Sequence, residues 1–484
     1  MVFTSERSKI QTAVKCTVFL LLSLFIVQCS NNYVDEIDRS GVYQYQPGFP
    51  EVTFSTAGLI DEDTDSTKIN VSVEVLYRSL IFKNEDSLFE ANLLLEVQLF
   101  DQVNRAEIIN SFQFPLTINL ESQEKINDGS RYIFNRFFDA PPGDYLVNVL
   151  VTDMSTNKQT VRSSTAYIPN PLDEISHITN IRVYSKNQSD VNSFEPATSY
   201  DLSESADSIK FTFQVTNNKT DAPLTLNSRL LKFRSDTSSA RPLSWPNYAP
   251  SSLPYIGISY SKYDEIATST RLIAQMGNVS IDFIFPNLER GNYRFEVYSD
   301  EEGDSENRIY RAREFSIKSK NYPTLRTPNE LAAPLIYLMD KDDHEKLMAI
   351  KDPIELKRAI DKFWLNNIKN QRVAQNVIEL YYERVEQANK QFSNFKEGWK
   401  TDFGMMYILF GPPRYVSSSI NDMVWSYSTN LYDPESNFLF RNPKVKSKFY
   451  PFDNYLLQRN QQYFSVQYQQ IQDWLSGDIL RDNL

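Results

Sequence analysis

Histidine and cysteine, which perform much of the acid–base, nucleophilic and metal chemistry of proteins, are scarce in this chain, and the two histidines are far apart. Only two histidines, His177 and His344, are present among 484 residues, and they fall in different predicted domains. A Ser-His-Asp triad or a histidine general base needs partners held close to the imidazole, so neither histidine predicts one. Acidic clusters at 61–63 and 300–302 lack the twelve-residue spacing of an EF-hand loop, which favours solvated turns. We predict no catalytic residues, no metal and no cofactor.

Asp402 is the carboxylate that admits two interpretations. It caps a tight turn with Gly404, since Asp side chains accept hydrogen bonds from nearby backbone and Gly tolerates positive φ. Alternatively it is a catalytic acid, which requires a second carboxylate a few ångströms away, as in glycosidases. Asp422, Asp433 and Glu435 are the candidates that the following sequence offers for that second carboxylate.

The N-terminus has the pattern of a bacterial export signal. Basic residues precede an apolar run over 18–27, and about ten apolar residues are too few to span a bilayer. The run ends in Ile-Val-Gln-Cys at Cys29, which resembles a lipobox, although Gln28 stands where Gly, Ala or Ser is usual. We therefore predict a signal peptide over 1–28, lipidation of Cys29, and an acidic, lipidated tether over 29–49.

Composition and charge exclude some classes of partner. Apolar residues make up 41% of the chain and charged residues 23%, which is typical of a globular protein. The net charge of −12 does not suit nucleic acid, whose phosphates require Lys and Arg. Cys16 and Cys29 are the only cysteines, so the predicted folded body contains no disulfide.

The region 50–320 has the two-residue period of β-strands. The segments 69–77 and 92–100 alternate aliphatic and polar residues, which is typical of half-buried strands. A turn with Gly and Tyr recurs before a late alternating strand, at 143–145 and again at 291–293, as in the last hairpin of an immunoglobulin-like domain.

The predicted fold is multidomain and begins with two tandem immunoglobulin-like β-sandwiches, over 50–169 and 171–320. The Pro169-Asn170-Pro171 sequence is a stiff, non-helical connector between them. A single larger sandwich is the alternative.

The pattern changes to helices after residue 323. Asp352 followed by Pro353 is a helix start, and apolar residues at helical spacing then predict helices from 353 and over 372–393. The run 405–410 between Gly404 and Gly411 predicts a buried strand, paired with a second strand over 423–427. A short closing helix is expected near the C-terminus, around Trp474.

The sequence Gly-Trp-Lys-Thr-Asp over 398–402 is followed by Gly404, an apolar run that contains Tyr407, and Gly-Pro-Pro over 411–413. This stretch resembles a known family, the GWxTD domain of envelope proteins from Bacteroidetes-type and related bacteria. The resemblance covers about 329–480 and implies an α+β GWxTD-like domain over 325–484, with Arg414 standing where an acidic residue is common. The family implies no established activity, and its motif residues are expected to be structural or docking residues. They are Gly398, Trp399, Thr401, Asp402, Gly404, Tyr407, Gly411, Pro412 and Pro413.

Two functional hypotheses follow. The first is a non-enzymatic cell-envelope lipoprotein, membrane-bound through its lipid anchor, that acts as an interaction or scaffold module for envelope proteins in an outer-membrane or secretion assembly. The second is a carboxylate-based hydrolase or glycan-binding protein that uses Asp402 and exposed aromatics, such as Trp425, Phe438 and Phe440, on cell-wall or surface polysaccharide. Nucleic acid is not an expected partner in either case.

Overall fold

The computed structural model describes residues 32–35, 48–61, 64–85, 88–102, 107–173, 175–187, 193–218, 223–299, 309–430, 435–443, 452 and 454–481. The predicted signal peptide, the lipidation site Cys29 and most of the predicted tether lie outside the described residues. Within them, the chain is multidomain and rich in β-sheet, with a helical C-terminal region. Among the described helices, none is long and apolar enough to cross a bilayer.

The first β-sandwich consists of two sheets that share one hydrophobic core. One sheet has the order β2–β3–β7, and the other has the order β6–β5–β8–β9 with β4 paired to the start of β5. Its elements are β2 (Val52–Ile60), β3 (Thr67–Leu76), β4 (Lys83–Glu85), β5 (Leu88–Asp101), β6 (Ile108–Leu120), helix α1 (Glu124–Asn127), β7 (Arg131–Asp139), β8 (Gly143–Asp153) and β9 (Lys158–Ile168).

The alternating residues of β3 explain how this core forms. Val71, Val73 and Val75 are fully buried against the facing sheet, as their period of two predicts. Asn70 and Ser72 point the other way and are also buried, and the Asn135 side chain of β7 accepts a hydrogen bond from each of them. The predicted strands at 69–77 and 92–100 are therefore confirmed, and both faces of β3 are covered.

The second β-sandwich also consists of two sheets around one core, in which Phe211, Phe213, Phe295 and Phe315 meet. One sheet contains β10, β11, β12, β14 and β17; the other has the order β19–β18–β15–β16 with β13 on β19. Its elements are β10 (His177–Ile178), β11 (Arg182–Asn187), β12 (Glu195–Pro196), β13 (Asp201–Ser203), β14 (Ala206–Asn217), β15 (Leu224–Ser235), helix α2 (Leu253–Ile256), β16 (Ile258–Ile273), β17 (Gly277–Pro286), β18 (Gly291–Ser299) and β19 (Tyr310–Lys318).

A strand from the N-terminal segment belongs to this second sandwich. Strand β1 (Asn32–Val34) pairs in parallel with β19 and lies within the segment predicted as a tether. The next residue, Asp35, is buried, and its carboxylate accepts bonds from the Asn180 side chain and the Ile181 amide at 2.7 and 2.6 Å. The outer edge of β19 is thereby covered, which protects a sheet edge that would otherwise be open.

The C-terminal region combines helices with a small antiparallel sheet of order β20–β21–β22–β23. The helices predicted from residue 353 and over 372–393 are confirmed, as is the closing helix that contains Trp474. The elements are α3 (Pro328–Ala332), α4 (Lys341–Ala349), α5 (Pro353–Asn367), α6 (Gln371–Phe392), α7 (Asp402–Phe410), β20 (Tyr415–Ser418), β21 (Asp422–Ser426), β22 (Asn437–Arg441), β23 (Leu456–Leu457) and α8 (Tyr463–Ser476).

The prediction of a strand over 405–410 is wrong, because these residues belong to α7. Every residue from Asp402 to Leu409 is buried, so the helix is apolar around its whole circumference and shows no amphipathic period. A short apolar run of this kind does not distinguish a buried helix from a buried strand. Strand β21 accordingly pairs with β20 and β22, and not with 405–410.

Candidate functional site

The motif segment, residues 398–413, packs against the long helix α6 with no room for side chains at two of its glycines. A Cβ built on Gly398 would lie 1.9 Å from the carbonyl oxygen of Ala388 in α6. A Cβ on Gly404 would lie 1.9 Å from the carbonyl oxygen of Gly398. Glycine is required at both positions because backbone approaches backbone there. Gly404 therefore allows α7 to approach the start of the motif segment closely, and does not form the tight turn that the sequence suggests.

Thr401 and Trp399 hold the start of α7 in place. The Thr401 hydroxyl accepts from the Gly404 amide at 3.0 Å, which caps the helix, and donates to the Gly398 carbonyl at 2.7 Å. The Trp399 carbonyl accepts from the Tyr337 hydroxyl at 2.7 Å, and the two rings lie edge to face. These contacts join the motif segment to the turn that follows α3.

Asp402 forms a buried, two-pronged ion pair with Arg459. The two carboxylate oxygens accept from the Arg459 guanidinium at 2.6 and 2.8 Å, and one of them also accepts from the Leu457 amide at 2.8 Å. The side chains of Asp402 and Arg459 are 2% and 0% exposed. Burial alone lowers the pKa of Arg459, but the adjacent Asp402 carboxylate more than offsets this and raises it. Such a paired charge has no free oxygen to offer a substrate.

Arg459 also forms hydrogen bonds with the backbone of a loop of the second sandwich. This crossover loop, residues 236–257, leaves β15 and packs into the helical region, where Ala240 and Leu243 join the hydrophobic core. The Arg459 side chain donates to the carbonyls of Pro242 and Arg241 at 3.2 and 3.1 Å. The motif aspartate is thus connected, through one arginine, to the backbone of another domain.

Tyr248 of the crossover loop lies between two guanidinium groups. The Arg241 and Arg459 guanidinium carbons lie 4.5 and 4.7 Å from its ring centroid. Burial and the nearby Asp402 carboxylate raise the pKa of Tyr248 to about 12, so the phenol stays protonated at neutral pH. Its hydroxyl accepts from the Arg241 amide at 3.2 Å, which fixes the fold of the loop.

The end of α7 is capped by side chains from two other helices. Arg384 of α6 donates to the Ile408 and Leu409 carbonyls at 3.2 and 3.4 Å, and the Trp474 indole of α8 donates to Leu409 at 2.9 Å. These donors satisfy carbonyls that a helix C-terminus leaves without partners. Gly411 then takes φ +79°, and a Cβ there would lie 2.8 Å from the Arg384 guanidinium.

The remaining motif residues have simple roles. Pro412 is exposed and Pro413 half-buried, and two prolines directly after the cap prevent the helix from continuing. Tyr407 is buried and donates its hydroxyl to the Gln387 side chain of α6. All nine predicted motif residues therefore lie in or next to α7, where most of them make packing or capping contacts.

A second set of charges joins the segment just before the motif to the second sandwich. Lys396 pairs with Asp236 at 2.6 Å, and both side chains are buried. Glu397 pairs with Lys400 at 2.5 Å and with Arg290 of the second sandwich. Burial raises the pKa of Glu397, but Lys400, Arg290 and Lys318 outweigh it and lower the pKa to about 2.

The other residues proposed for chemistry are used structurally. Asp422 pairs with Arg441 across strands β21 and β22, where these two side chains are 36% and 55% exposed, so it and Asp402 are each engaged by a different arginine. His344 contacts the Ala332 and Ala333 carbonyls, and His177 contacts the Tyr167 hydroxyl in a different domain. Asp433 lies outside the described residues. Among the described residues, no group of three His, Cys, Asp or Glu is placed to hold a metal.

The aromatic residues predicted to be exposed are buried. Trp425, Phe438 and Phe440 are at most 2% exposed, and Phe403 of α7 stacks on Trp425 at 4.7 Å. Because side chains alternate in direction along β21 and β22, these rings face α7. The predicted pairing of 423–427 with 405–410 did not reveal this, since it treated 405–410 as a strand. The prediction that these aromatic side chains are exposed is therefore wrong.

Arg459, Arg384 and the crossover loop are the parts of the site that sequence reasoning missed. Arg459 follows an apolar pair, Leu456 and Leu457, and a single charge beside a buried strand is a weak signal for a buried partner. Nothing in the sequence of 236–257 indicates that it packs into a core more than a hundred residues away.

Comparisons with known proteins confirm the resemblance of the C-terminal region. Residues 301–476 match the family model of the GWxTD domain. No curated protein matches the chain. Similar solved structures include a red sea bream transglutaminase, with a TM-score of 0.17 and 10% identity, over 55% of this chain and 31% of that one. Another is Escherichia coli alpha-2-macroglobulin activated by porcine elastase, with a TM-score of 0.18 and 11% identity, over 57% and 22%. The chain spans less than a third of the length of either structure.

Proposed function

We propose that this GWxTD domain-containing protein is a non-enzymatic lipoprotein of the cell envelope, anchored through Cys29 in the outer membrane, that serves as a scaffold for envelope proteins. The observation that carries the proposal is the use of the motif residues. Asp402 and its partner Arg459 join the GWxTD domain to the crossover loop of the second sandwich. A motif whose residues make internal contacts between domains suits a protein that presents surfaces at fixed positions.

The residues on which the hydrolase alternative depends are not accessible to a substrate. A general acid must exchange its proton with the substrate, so its carboxyl group needs access to a ligand. Both Asp402 oxygens are engaged by Arg459, and the side chain is almost fully buried. The aromatic side chains proposed for a sugar surface, Trp425, Phe438 and Phe440, are buried as well. These contacts favour the scaffold over the hydrolase.

The finer architecture is part of the proposal: the two sandwiches are immunoglobulin-like modules in tandem. Support comes from two equivalent tyrosines. The Tyr145 hydroxyl donates to the Pro141 carbonyl, and the Tyr293 hydroxyl donates to the Glu289 carbonyl, both at 2.7 Å and both four residues back. A tyrosine that bonds the backbone just upstream, at the start of a late strand, is the tyrosine corner of immunoglobulin-like folds.

The anchor and the partners are tested together by expressing the full chain with Cys29→Ala and, as the matched control, Cys16→Ala. Membranes are washed with carbonate and the protein is probed for incorporated fatty acid. We expect the wild type and the Cys16→Ala variant to be acylated and membrane-bound. The Cys29→Ala variant should be neither, since it lacks the thiol that carries the lipid.

The scaffold is then tested by cross-linking cells before extraction and purifying the three forms. A defined set of envelope proteins, recovered with the wild type and with Cys16→Ala but lost with Cys29→Ala, is the expected result. Recovery of the same set of proteins with Cys29→Ala would mean that the scaffold function does not depend on the lipid anchor. Recovery of glycan without protein would favour the alternative function.

A further inference from the structure

Strand β1 shows from which end of the second sandwich the N-terminal segment departs. Asn32 pairs with Tyr310, the first residue of β19, and Val34 pairs with Ala312. Because the strands are parallel, β1 begins at the end of the sheet where β19 also begins. This end of the second sandwich, where β18 ends and β19 begins, is the N-terminal pole.

The distance from the N-terminal pole to the proposed anchor is short. Cys29 precedes Asn32 by three residues, and three extended residues span at most about 11 Å. A lipid on Cys29 would therefore hold this pole close to the membrane surface. A long tether would leave the orientation of the body open, but β1 begins only three residues after Cys29.

The same pole exposes large apolar side chains. Asn218 donates to the Ile175 carbonyl at 3.2 Å, and Asn217 donates to the carbonyls of Ile273 and Gln275 at 3.4 Å. These bonds place the start of β10 beside the turn between β16 and β17. The exposed side chains on these two segments are Ile175 at 54%, Leu272 at 64% and Met276 at 56%. A group of exposed apolar residues marks a surface that contacts protein or membrane.

The GWxTD domain lies at the opposite pole. Lys318, the last residue of β19, donates to the Asn394 carbonyl at 2.7 Å, and Asn292 at the start of β18 donates to the Phe395 carbonyl at 2.8 Å. Strand β19 runs from the N-terminal pole to this contact, and its eight steps span about 27 Å.

From this geometry we infer that the N-terminal pole lies against the lipid surface, with Ile175, Leu272 and Met276 in contact with the bilayer. The second sandwich then holds the GWxTD domain away from the membrane, where it can meet a partner. The inference rests on the proposed anchor at Cys29, and it adds an orientation and a second, apolar contact. Lipid-anchored proteins bind stably when an acyl chain is supplemented by such a second contact.

The test uses single engineered cysteines in the full-length, membrane-derived protein. The mature chain has no cysteine other than Cys29, whose thiol would carry the lipid, so Met276→Cys provides one site for an environment-sensitive fluorophore. The matched control is Ile420→Cys in the GWxTD domain, where the side chain is 93% exposed. Both labelled proteins are reconstituted into phosphatidylethanolamine–phosphatidylcholine vesicles. Neutral lipids are chosen because residues 300–306, between β18 and β19, include five acidic residues.

The readout is the blue shift of the emission and its quenching by lipids that carry a nitroxide on the acyl chain. We expect a blue shift and quenching for the probe at position 276, and neither for the probe at position 420. If both probes remain in water while the protein floats with the vesicles, the orientation is wrong and the anchor stands. If the protein does not float, the anchor itself fails and the inference fails with it.

Discussion

Asp402 and Arg459 show how burial decides what a charged residue does. An aspartate in a short motif suggests acid–base chemistry until its neighbours are known. Here its two oxygens face a guanidinium that in turn binds backbone carbonyls of another domain. Removing water from both charges is costly, and only a complete set of hydrogen bonds offsets that cost. The pair therefore stabilises one arrangement of the chain as long as both partners are present.

We expect Asp402→Asn to lower the free energy of unfolding by about 3–5 kcal/mol, since it leaves Arg459 buried without a counter-charge. The measurement is urea unfolding followed by tryptophan fluorescence. The matched control is Asp422→Asn, whose partner Arg441 is 55% exposed at the side chain, and it should lower stability far less because solvent screens that pair. Equal effects of the two substitutions would contradict the structural role of Asp402.

Gly404→Ala tests the close approach of α7 to the start of the motif segment. The new Cβ would lie 1.9 Å from the Gly398 carbonyl oxygen, so the backbone must move, and we expect a loss of at least about 3 kcal/mol. Gly129→Ala is the control: Gly129 has φ +93° but no backbone within 4 Å of the new Cβ, and it should cost about 1–2 kcal/mol. Thermal unfolding of both variants separates steric overlap from backbone strain. A smaller loss of stability in Gly404→Ala than in Gly129→Ala would contradict the packing role of Gly404.

Residues 402–410 form a helix although their apolar sequence is compatible with either a helix or a strand. Thr401 caps the first turn of α7, and donors from α6 and α8 satisfy its last carbonyls. Neighbouring helices thus supply the hydrogen bonds that make the helical state of 402–410 the stable one. Strand β1 also depends on its surroundings, because its three residues form a strand by pairing in parallel with the edge of β19.

Tyr145→Phe and Tyr293→Phe each remove one hydrogen bond from the start of a late strand, in the first and the second sandwich. We expect each to lower the free energy of unfolding by about 1 kcal/mol, the usual net contribution of one hydrogen bond. Tyr263→Phe on exposed strand β16 is the control, because that ring is 46% exposed, and it should change stability by less than about 0.5 kcal/mol. Chemical denaturation measures all three. An effect confined to one sandwich would contradict the equivalence of the two tyrosines.

At the scale of the whole molecule, the second sandwich and the GWxTD domain share buried charges and a hydrophobic cluster. Lys396 pairs with Asp236, Glu397 pairs with Arg290, and Phe395 packs with Phe233 of β15. The crossover loop adds Ala240 and Leu243 to the core of the helical region. We therefore expect these two domains to unfold together.

Glu397 makes this joint sensitive to acid. Its pKa is lowered from 4.5 to about 2, so the stability that it contributes is present above pH 4.5 and is lost as the pH falls towards 2. Across this interval the contribution is up to about 3 kcal/mol. Urea unfolding between pH 6 and pH 2.5 should show a decline in stability that is smaller in Glu397→Gln than in the wild type. Parallel pH profiles for the two proteins would contradict this role.

Much of the fold could be predicted from local pattern. Val71, Val73 and Val75 alternate because every second residue of a strand faces the core, and Leu356, Ile360 and Trp364 recur because they share one face of α5. Asp352 marks the start of that helix, since its side chain accepts from two backbone amides of the first turn. The nine motif residues were likewise recognised from the sequence, although their contacts were not.

The sequence by itself determined the β-rich and helical regions and the scarcity of histidine and cysteine, because these depend on short-range periodicity and composition, and the resemblance of its motif to a known family identified the GWxTD domain. Only the tertiary structure decided that 402–410 is a helix, that β1 joins the second sandwich and that Asp402 forms an ion pair with Arg459. Each of these outcomes depends on a partner far away in the chain: 57 residues separate Asp402 from Arg459. Local pattern records which residues prefer to be buried, and long-range packing decides what they are buried against.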